Sequence, residues 1–476
     1  MDSTNFRKYG HQLVDWMVDY LENLQKYPER FPVRSQVLPR EIIKKLPVDP
    51  PIKGEQFEKI FADFEDIIIP GITHWQHPSF FAYFPANSSR ISVLAEMLTA
   101  TLGAQCMSWE TSPAATELEE RVLEWLRDMI GLPKDFSGVI QDTASTSTIC
   151  SLLTAREKIT NYSVNSSGLN AKNILATYCS TETHSSIEKA VKIIGLGKEN
   201  LRKIPVDKNF AMQPNALEDA LKSDIDRNIT PMAVVATIGT TGSTAIDPLK
   251  RIGEICEKYN VWLHVDAALA GTALILPEKR WMINGVEKVD TFVFNPHKWM
   301  FTNFDCSAYF IKDPEALVRT FEILPEYLKT KAKGVNNYRD WGLQLGRRFR
   351  ALKLWWVIRH YGVEGLQNKI RYHISLIDSL REKVDLSPDF ELLAPVPLNT
   401  ICFRYHPTDI EYQVDLDRVN EELLHNLNKT GKIFITHTKL DGKYTLRFVV
   451  GQTEVQESHV NSAWTLILSE ARKLTV

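Results

Sequence analysis

Val261-Trp262-Leu263-His264-Val265-Asp266-Ala267-Ala268, followed 32 residues after its aspartate by the Lys298 of Asn295-Pro296-His297-Lys298-Trp299, decides how the chain reads. Val261 to Val265 is a short apolar and aromatic run after a helical stretch, Leu249 to Tyr259. That order predicts a buried parallel strand. Asp290 to Phe294 is a second such run, and Asn295 to Lys298 leave its carboxyl end as Asp266 leaves that of the first. Open α/β sheets bind ligands outside those ends. Taken singly, Lys298 reads as a surface lysine and Asp266 as a helix cap. On paired strand ends they match the needs of a pyridoxal-phosphate site: an amine to hold the cofactor aldehyde as a Schiff base, and a carboxylate to keep the pyridine nitrogen protonated.

Outward from this centre the pattern from about residue 90 alternates helix and strand, the mark of a parallel sheet. It includes a helix over 114–130, a helix after Ser145, a strand from Asn173 to Thr177, a helix from Ser185 to Ile194 and a strand from Met232 to Ile238. Beyond Gly365 a long polar helix leads to strands at Thr400 to Tyr405, Ile433 to Thr436 and Tyr444 to Val450, then a closing helix near 455–473. At the other end, Leu13, Met17, Tyr20, Leu21 and Leu24 have helical spacing, giving an amphipathic helix. Pro28, Pro32, Pro39, Pro47, Pro50 and Pro51 then keep the following stretch extended. A partner subunit is the expected cover for that helix, with docking on the chain's own large domain as the alternative. The expected architecture is α/β, with an N-terminal helical arm (1–89), a large mostly parallel sheet domain (90–375) and a small C-terminal α+β domain (376–476).

The chain's 476 residues are 44% hydrophobic, enough for a large core and a smaller one. A net charge of -3 carries no basic footprint, so nucleic acid is not an expected partner. No run approaches a membrane span, and Asp2, Arg7, Lys8 and Asp15 rule out a signal peptide. The six cysteines are scattered without a Cys-x-x-Cys pair, which fits reduced thiols and a cytoplasmic protein.

A cofactor phosphate calls for backbone amides and hydroxyls at a helix N-terminus. Thr143-Ala144-Ser145-Thr146-Ser147, just before an apolar helical run, offers them; an ordinary N-cap is the competing reading. Thr240-Thr241 and His297 supply further polar groups at strand ends, and His184 supplies an imidazole to stack on the pyridine ring. His264 shares a strand face with Asp266 and reads as a core or supporting histidine. Gly195-Leu196-Gly197 lacks the third glycine of a dinucleotide fingerprint, and His74-Trp75-Gln76-His77 lacks the spacing of a metal site, so no metal is expected.

With these residues in view the chain resembles the group II pyridoxal-phosphate decarboxylases, closest to the aromatic-L-amino-acid decarboxylases. The resemblance runs through His77-Pro78, Phe81-Ala82-Tyr83-Phe84-Pro85, Ser112-Pro113-Ala114, Leu263 to Ala268, Asn295 to Trp299, Asn303 to Ser307 and Leu345 to Arg350. It implies a fold-type I homodimer with active sites at the interface. It assigns Lys298 to the Schiff base, Asp266 to the pyridine nitrogen and His184 to the ring opposite Ala268, with Thr241 supporting His184. Ala144, Ser145, Asn295 and His297 would take the phosphate. Tyr327 would protonate the substrate carbon after carbon dioxide leaves. Trp75, Tyr83, Phe84, Pro85, Met107 and Gly346 would meet the substrate, with Gly346 leaving room for a bulky ring such as an indole.

The implied activity is decarboxylation of an aromatic L-amino acid (tryptophan, phenylalanine, tyrosine, dopa or 5-hydroxytryptophan) through a quinonoid to the arylalkylamine. Three rivals compete. An aldehyde synthase of the same family would let oxygen intercept the reaction, but such relatives carry Phe for the loop tyrosine or Asn for the stacking histidine. An aminotransferase would need a cationic clamp for the substrate carboxylate, for which Arg447 is the candidate. A non-catalytic protein would retain the fold without the chemistry.

Overall fold

A computed structural model describes residues 1–27, 30–170, 174–323, 334–408, 410 and 412–474. The chain divides into two compact units: Met1–Pro85 with Leu376–Leu393 and Ile401–Val476, and Ala86–Ser375 with Ala394–Thr400.

The larger unit is built on seven strands: β1 (Ser137–Gln141), β2 (Leu175–Ser180), β3 (Leu201–Ile204), β4 (Thr230–Thr237), β5 (Trp262–Asp266), β6 (Thr291–Phe294) and β7 (Ser307–Ile311). Their order is β1-β7-β6-β5-β4-β2-β3. The run β6-β5-β4-β2-β3 is parallel, and β7 alone is antiparallel to its neighbours β6 and β1. β5 is buried along its whole length, as its unbroken apolar run requires of a central parallel strand. Asp266 pairs with Val293 in register, so the two chains leave the sheet side by side. Ala267 N–H then donates to Val293 O, and Asn295 N–H to Ala268 O, which ties the two exits together at 3.0 and 2.9 Å.

Two helices that matter for function flank this sheet. Ala144–Ile159 starts where Thr143 caps it by accepting from Thr146 N–H. Leu249–Tyr259, in the bounds that its periodicity predicts, ends at Asn260 in the left-handed region, with φ of 53°. The sequence did not reveal β1, β3 and β7 as strands. β1 opens with Ser137-Gly138 and β3 carries Arg202-Lys203, so neither shows the unbroken apolar run that marks β5 and β6.

The smaller unit carries an antiparallel sheet ordered β10-β11-β9-β8, from β8 (Phe390–Leu392), β9 (Thr400–Tyr405), β10 (Thr436–Leu440) and β11 (Lys443–Val449). β10 begins where the predicted strand over 433–436 ends. Residues 433–435 are instead held by side-chain and bridge contacts, among them Asn428 with Ile435 and a bridge from Phe80 to Phe434. The N-terminal segment packs into this unit: Val33 N–H donates to Gly431 O, Phe81 N–H to Phe434 O and Val449 N–H to Phe81 O. The first helix, Ser3–Lys26, finds partial cover within its own chain. Tyr9 stacks on Phe57, and Trp16 meets Phe61 and Phe64 while donating to Glu65. That cover is a helix, Phe57–Asp63, beyond the proline-rich stretch. Phe6, Val14 and Val18 stay exposed.

Candidate active site

Asp266 is buried at the end of β5, 5% exposed, and its Oδ1 accepts from the Ala268 amide at 3.1 Å. Lys298 lies half-buried in the single helical turn Pro296–Trp299 that follows β6. Between these two, electrostatically, stands His184, after β2. Burial lowers its proton affinity first; beyond that Asp266 raises it and Lys298 lowers it, so both charges act on the same imidazole. Its Nδ1 accepts from Ser186 N–H at 3.2 Å and lies 2.8 Å from Ser186 Oγ. The neutral ring therefore carries its proton on Nε2. Part of the ring remains open to solvent.

A second group of residues gathers neutral donors. Burial, with Lys298 adding to it, pushes His297 down to about 3, so the ring is neutral. Its Nδ1 accepts from Cys306 N–H at 2.9 Å, which leaves Nε2–H as the donor. The ring packs against Phe304 at 4.7 Å. Asn295 is 2% exposed and its side-chain oxygen has no hydrogen-bond partner among the described residues. Because the amide can flip, that position offers either an acceptor or a donor to a bound group. At the helix Ala144–Ile159, the cap engages Thr146 N–H at 3.4 Å and leaves the first-turn amides of Ala144 and Ser145 at the terminus.

Amide N–H groups and a neutral imidazole suit a dianion, a buried carboxylate suits a pyridinium, and a primary amine on the neighbouring strand end suits an aldehyde. The residues fit pyridoxal 5′-phosphate. Thr240 and Thr241 separate in role. Thr240 is buried and accepts from Ala245 N–H within its own turn, whereas Thr241 is exposed. Met107 is half-buried with its carbonyl accepting from Arg339 N–H. Gly346 is exposed, and a Cβ placed there would come 3.3 Å from Gln105 Nε2.

Trp75, Tyr83, Phe84 and Pro85 belong to the smaller unit. Trp75 packs on Phe80 and stacks on Tyr83 at 4.5 and 5.8 Å, and Tyr83 has a φ of 49°. Arg447 is committed in the same unit: it donates to Tyr83 O at 2.7 Å and its guanidinium lies 4.6 Å from the Phe84 ring. His74 and His77 are engaged one by one, with Tyr20 Oη and with Ser79 N–H. Among the described residues no group of His, Cys, Asp or Glu side chains is arranged to hold a metal ion. Tyr327 lies outside the described residues.

Sequence reasoning placed His264 beside Asp266 as a core or supporting histidine but gave no partners for it, and it did not single out His373. His264 is fully buried, 3.1 Å from Thr148 and 2.9 Å from Thr291, and Trp299 behind Lys298 donates to His373 at 2.9 Å. Their signal was weak: single histidines in apolar runs.

Three comparisons bear on this geometry. Residues 39–406 match the model of the pyridoxal-dependent decarboxylase conserved domain. The chain is 44% identical to a phenylacetaldehyde synthase of Arabidopsis thaliana, covering 100% of the chain and 97% of the relative. It is 42% identical to tryptophan decarboxylase 2 of Oryza sativa subsp. japonica, covering 100% and 96%. The crystal structure of Oryza sativa TDC with PLP and tryptamine superposes with a TM-score of 0.96 at 35% identity, over 100% of this chain and 99% of that one. Among the described residues no helix is long and apolar enough to cross a membrane, and all six cysteines are buried with no disulfide between them.

Proposed function

The chain belongs to the pyridoxal-dependent decarboxylase family, and from that premise we propose a role for each strand-end residue. Lys298 takes the aldehyde of pyridoxal 5′-phosphate, Asp266 faces the pyridine nitrogen, and His184 lies against the ring opposite Ala268 with Thr241 beside it. Ala144, Ser145, Asn295 and His297 hold the phosphate. The activity is decarboxylation of an aromatic L-amino acid to its arylalkylamine and carbon dioxide. The observation that supports the site assignment is that β5 and β6 run parallel with Asp266 paired to Val293, so Asp266 and the turn carrying Lys298 leave the sheet side by side, with both charges acting on His184.

When bound, the cofactor draws off the electron pair that the departing carboxylate leaves on the substrate carbon. The protein does the rest. Asp266, buried and oriented by the Ala268 amide, presents a fixed negative charge in a medium that screens it poorly. His297 and the helix amides anchor the phosphate end without adding a competing cation. Lys298 would hold the cofactor's aldehyde end, and its primary amine would be the group freed when the substrate amine takes that place. A proton delivered to the substrate carbon completes the amine, and we assign that delivery to Tyr327. Trp75, Tyr83, Phe84, Pro85, Met107 and Gly346 are proposed as substrate contacts on the strength of their family motifs.

The deciding experiment incubates purified, cofactor-loaded protein with phenylalanine, tyrosine, dopa, tryptophan and 5-hydroxytryptophan. Amine and carbon dioxide in equal amounts without peroxide are expected. Aldehyde, ammonia and peroxide would make the chain an aldehyde synthase, a reading favoured by its similarity to the Arabidopsis enzyme. Tyr327→Phe is expected to move product from amine toward aldehyde; unchanged amine output would remove Tyr327 from the proton step.

We further propose a homodimer in the cytoplasm. The helix Arg90–Leu102 exposes Leu94, Met97, Leu98 and Leu102 on one face, which wants apolar cover. Sedimentation of the wild type and of Leu98→Glu tests this, with the variant expected to shift toward monomer.

A further inference from the structure

The helix whose first amides are assigned above to the phosphate also carries a row of buried hydroxyls that the proposed reaction does not use. Thr148 Oγ1 lies 3.1 Å from Nε2 of His264 on β5. Ser151 Oγ lies 2.6 Å from Thr291 Oγ1 on β6, and it accepts the indole N–H of Trp262, on β5, at 3.0 Å. His264 Nδ1 closes the chain at 2.9 Å from Thr291 Oγ1. All five side chains are buried. Only the indole is an obligatory donor. The hydroxyls of Thr148, Ser151 and Thr291 can each donate or accept, and the His264 ring offers one donor and one acceptor, so every link of the chain can be made.

A seam of this kind has one setting. Aliphatic packing is non-directional and tolerates sliding, whereas a hydrogen bond weakens steeply when stretched or bent and is costly to leave unmade in the interior. The seam joins three elements that each deliver part of the site. The helix begins four residues before Thr148 at Ala144, β5 reaches Asp266 two residues after His264, and β6 leads to Lys298 seven residues after Thr291.

We propose that Thr148, Ser151, His264 and Thr291 are positioning residues that set the separation between the phosphate-holding amides of Ala144 and Ser145 and the carboxylate of Asp266. The cofactor's ring is rigid and its phosphate arm is short, so the protein must present its two ends within a narrow range of separations. Burial pushes His264 down to about 4, so its neutral ring supplies a donor and an acceptor and does not neutralise Asp266. This inference rests on the cofactor assignment made above.

The test compares wild type, Thr148→Val and Thr148→Ser, with Ser151→Ala as a second entry to the seam should Thr148→Val not fold. Retention of pyridoxal 5′-phosphate is followed by its absorbance after desalting. Apo protein is titrated separately with pyridoxal and with inorganic phosphate, each of which occupies one end alone. Thr148→Val is expected to weaken pyridoxal 5′-phosphate about tenfold while holding each half-ligand within about twofold, since only the whole molecule reads the spacing. Thr148→Ser should restore retention, and the apo variants should melt within a few degrees of wild type. Equal weakening of all three ligands, or a lowered melting temperature with unchanged retention, would reduce the seam to a structural feature and overturn the proposal. Borohydride trapping and peptide mapping of the wild type keep the two readings apart. Failure to label Lys298 would overturn the cofactor assignment, whereas a labelled wild type matched by Thr148→Val would overturn the seam alone.

Discussion

Two helices pack on the seven-stranded sheet in opposite chemical styles. Leu249–Tyr259 buries Leu249, Ile252, Ile255 and Cys256 and meets β4 and β5 through them. Ala144–Ile159 buries some apolar groups too, but it turns Ser147, Thr148, Ser151 and Thr154 inward and reaches β4, β5, β6 and β7. The first helix contributes nothing to the strand-end cluster; the second begins in it. Apolar burial decides that an element docks, while directional bonds decide where it stops. A site that must hold a rigid ring and the phosphate on its short arm at once has use for the second kind of contact.

The largest effect should come from breaking the apolar contact. Ile252→Ala, at a fully buried position, is expected to cost about 2–5 kcal/mol in denaturant unfolding, with cofactor retention by the folded fraction unchanged. If Ile252→Ala loosened the cofactor as strongly as Thr148→Val, the contrast between the helices would collapse into general stability. Ser151→Ala should be milder and of the other kind. It strands the Trp262 indole and unlinks Thr291, at about 1–3 kcal/mol, and a loss of cofactor retention should accompany it. Unfolding curves and retention measured on the same preparations decide between the two behaviours.

The same contrast explains what could be read in the sequence. The strands carrying Asp266 and Lys298 were legible because unbroken apolar runs between amphipathic helices have few other readings, and Leu249–Tyr259 showed its period in full. Thr143 to Ser147 read as a helix N-terminus offering amides and hydroxyls to a phosphate, with an ordinary N-cap as the alternative. The structure makes Thr143 the cap, puts Ala144 and Ser145 in the first turn, and buries the hydroxyls of Ser147 and Thr148. A hydroxyl on a helix gives no hint of facing a sheet, since burial normally selects against it. His264 was placed on the face of Asp266 by alternation, but its partners lie 116 and 27 residues away and no local pattern predicts them. Tyr327 and the aromatic residues Trp75 and Tyr83 rested on family motifs rather than on any spacing.

Acid offers the finest test of the contrast, because the apolar helix buries no histidine and the seam buries one. His264 titrates at about 4 in the fold against an ordinary value near 6.5, and burial likewise pushes His297 and His373 to about 3. Each ring is neutral when folded and takes up a proton on unfolding at any pH below its ordinary value. These depressed values contribute stability that is fully present above about pH 6.5 and is lost as pH falls toward the folded values. Each histidine should therefore remove up to about 1.4 kcal/mol of unfolding free energy per pH unit across that window. His264→Gln, compared with wild type at pH 5.5 and 4.5, should flatten the slope by one histidine's share, while Ile252→Ala should lower the whole curve and leave its slope intact. A slope unaltered by His264→Gln would mean that the ring is already charged in the fold, and a cation beside Asp266 would leave the carboxylate too well neutralised to serve the pyridine nitrogen.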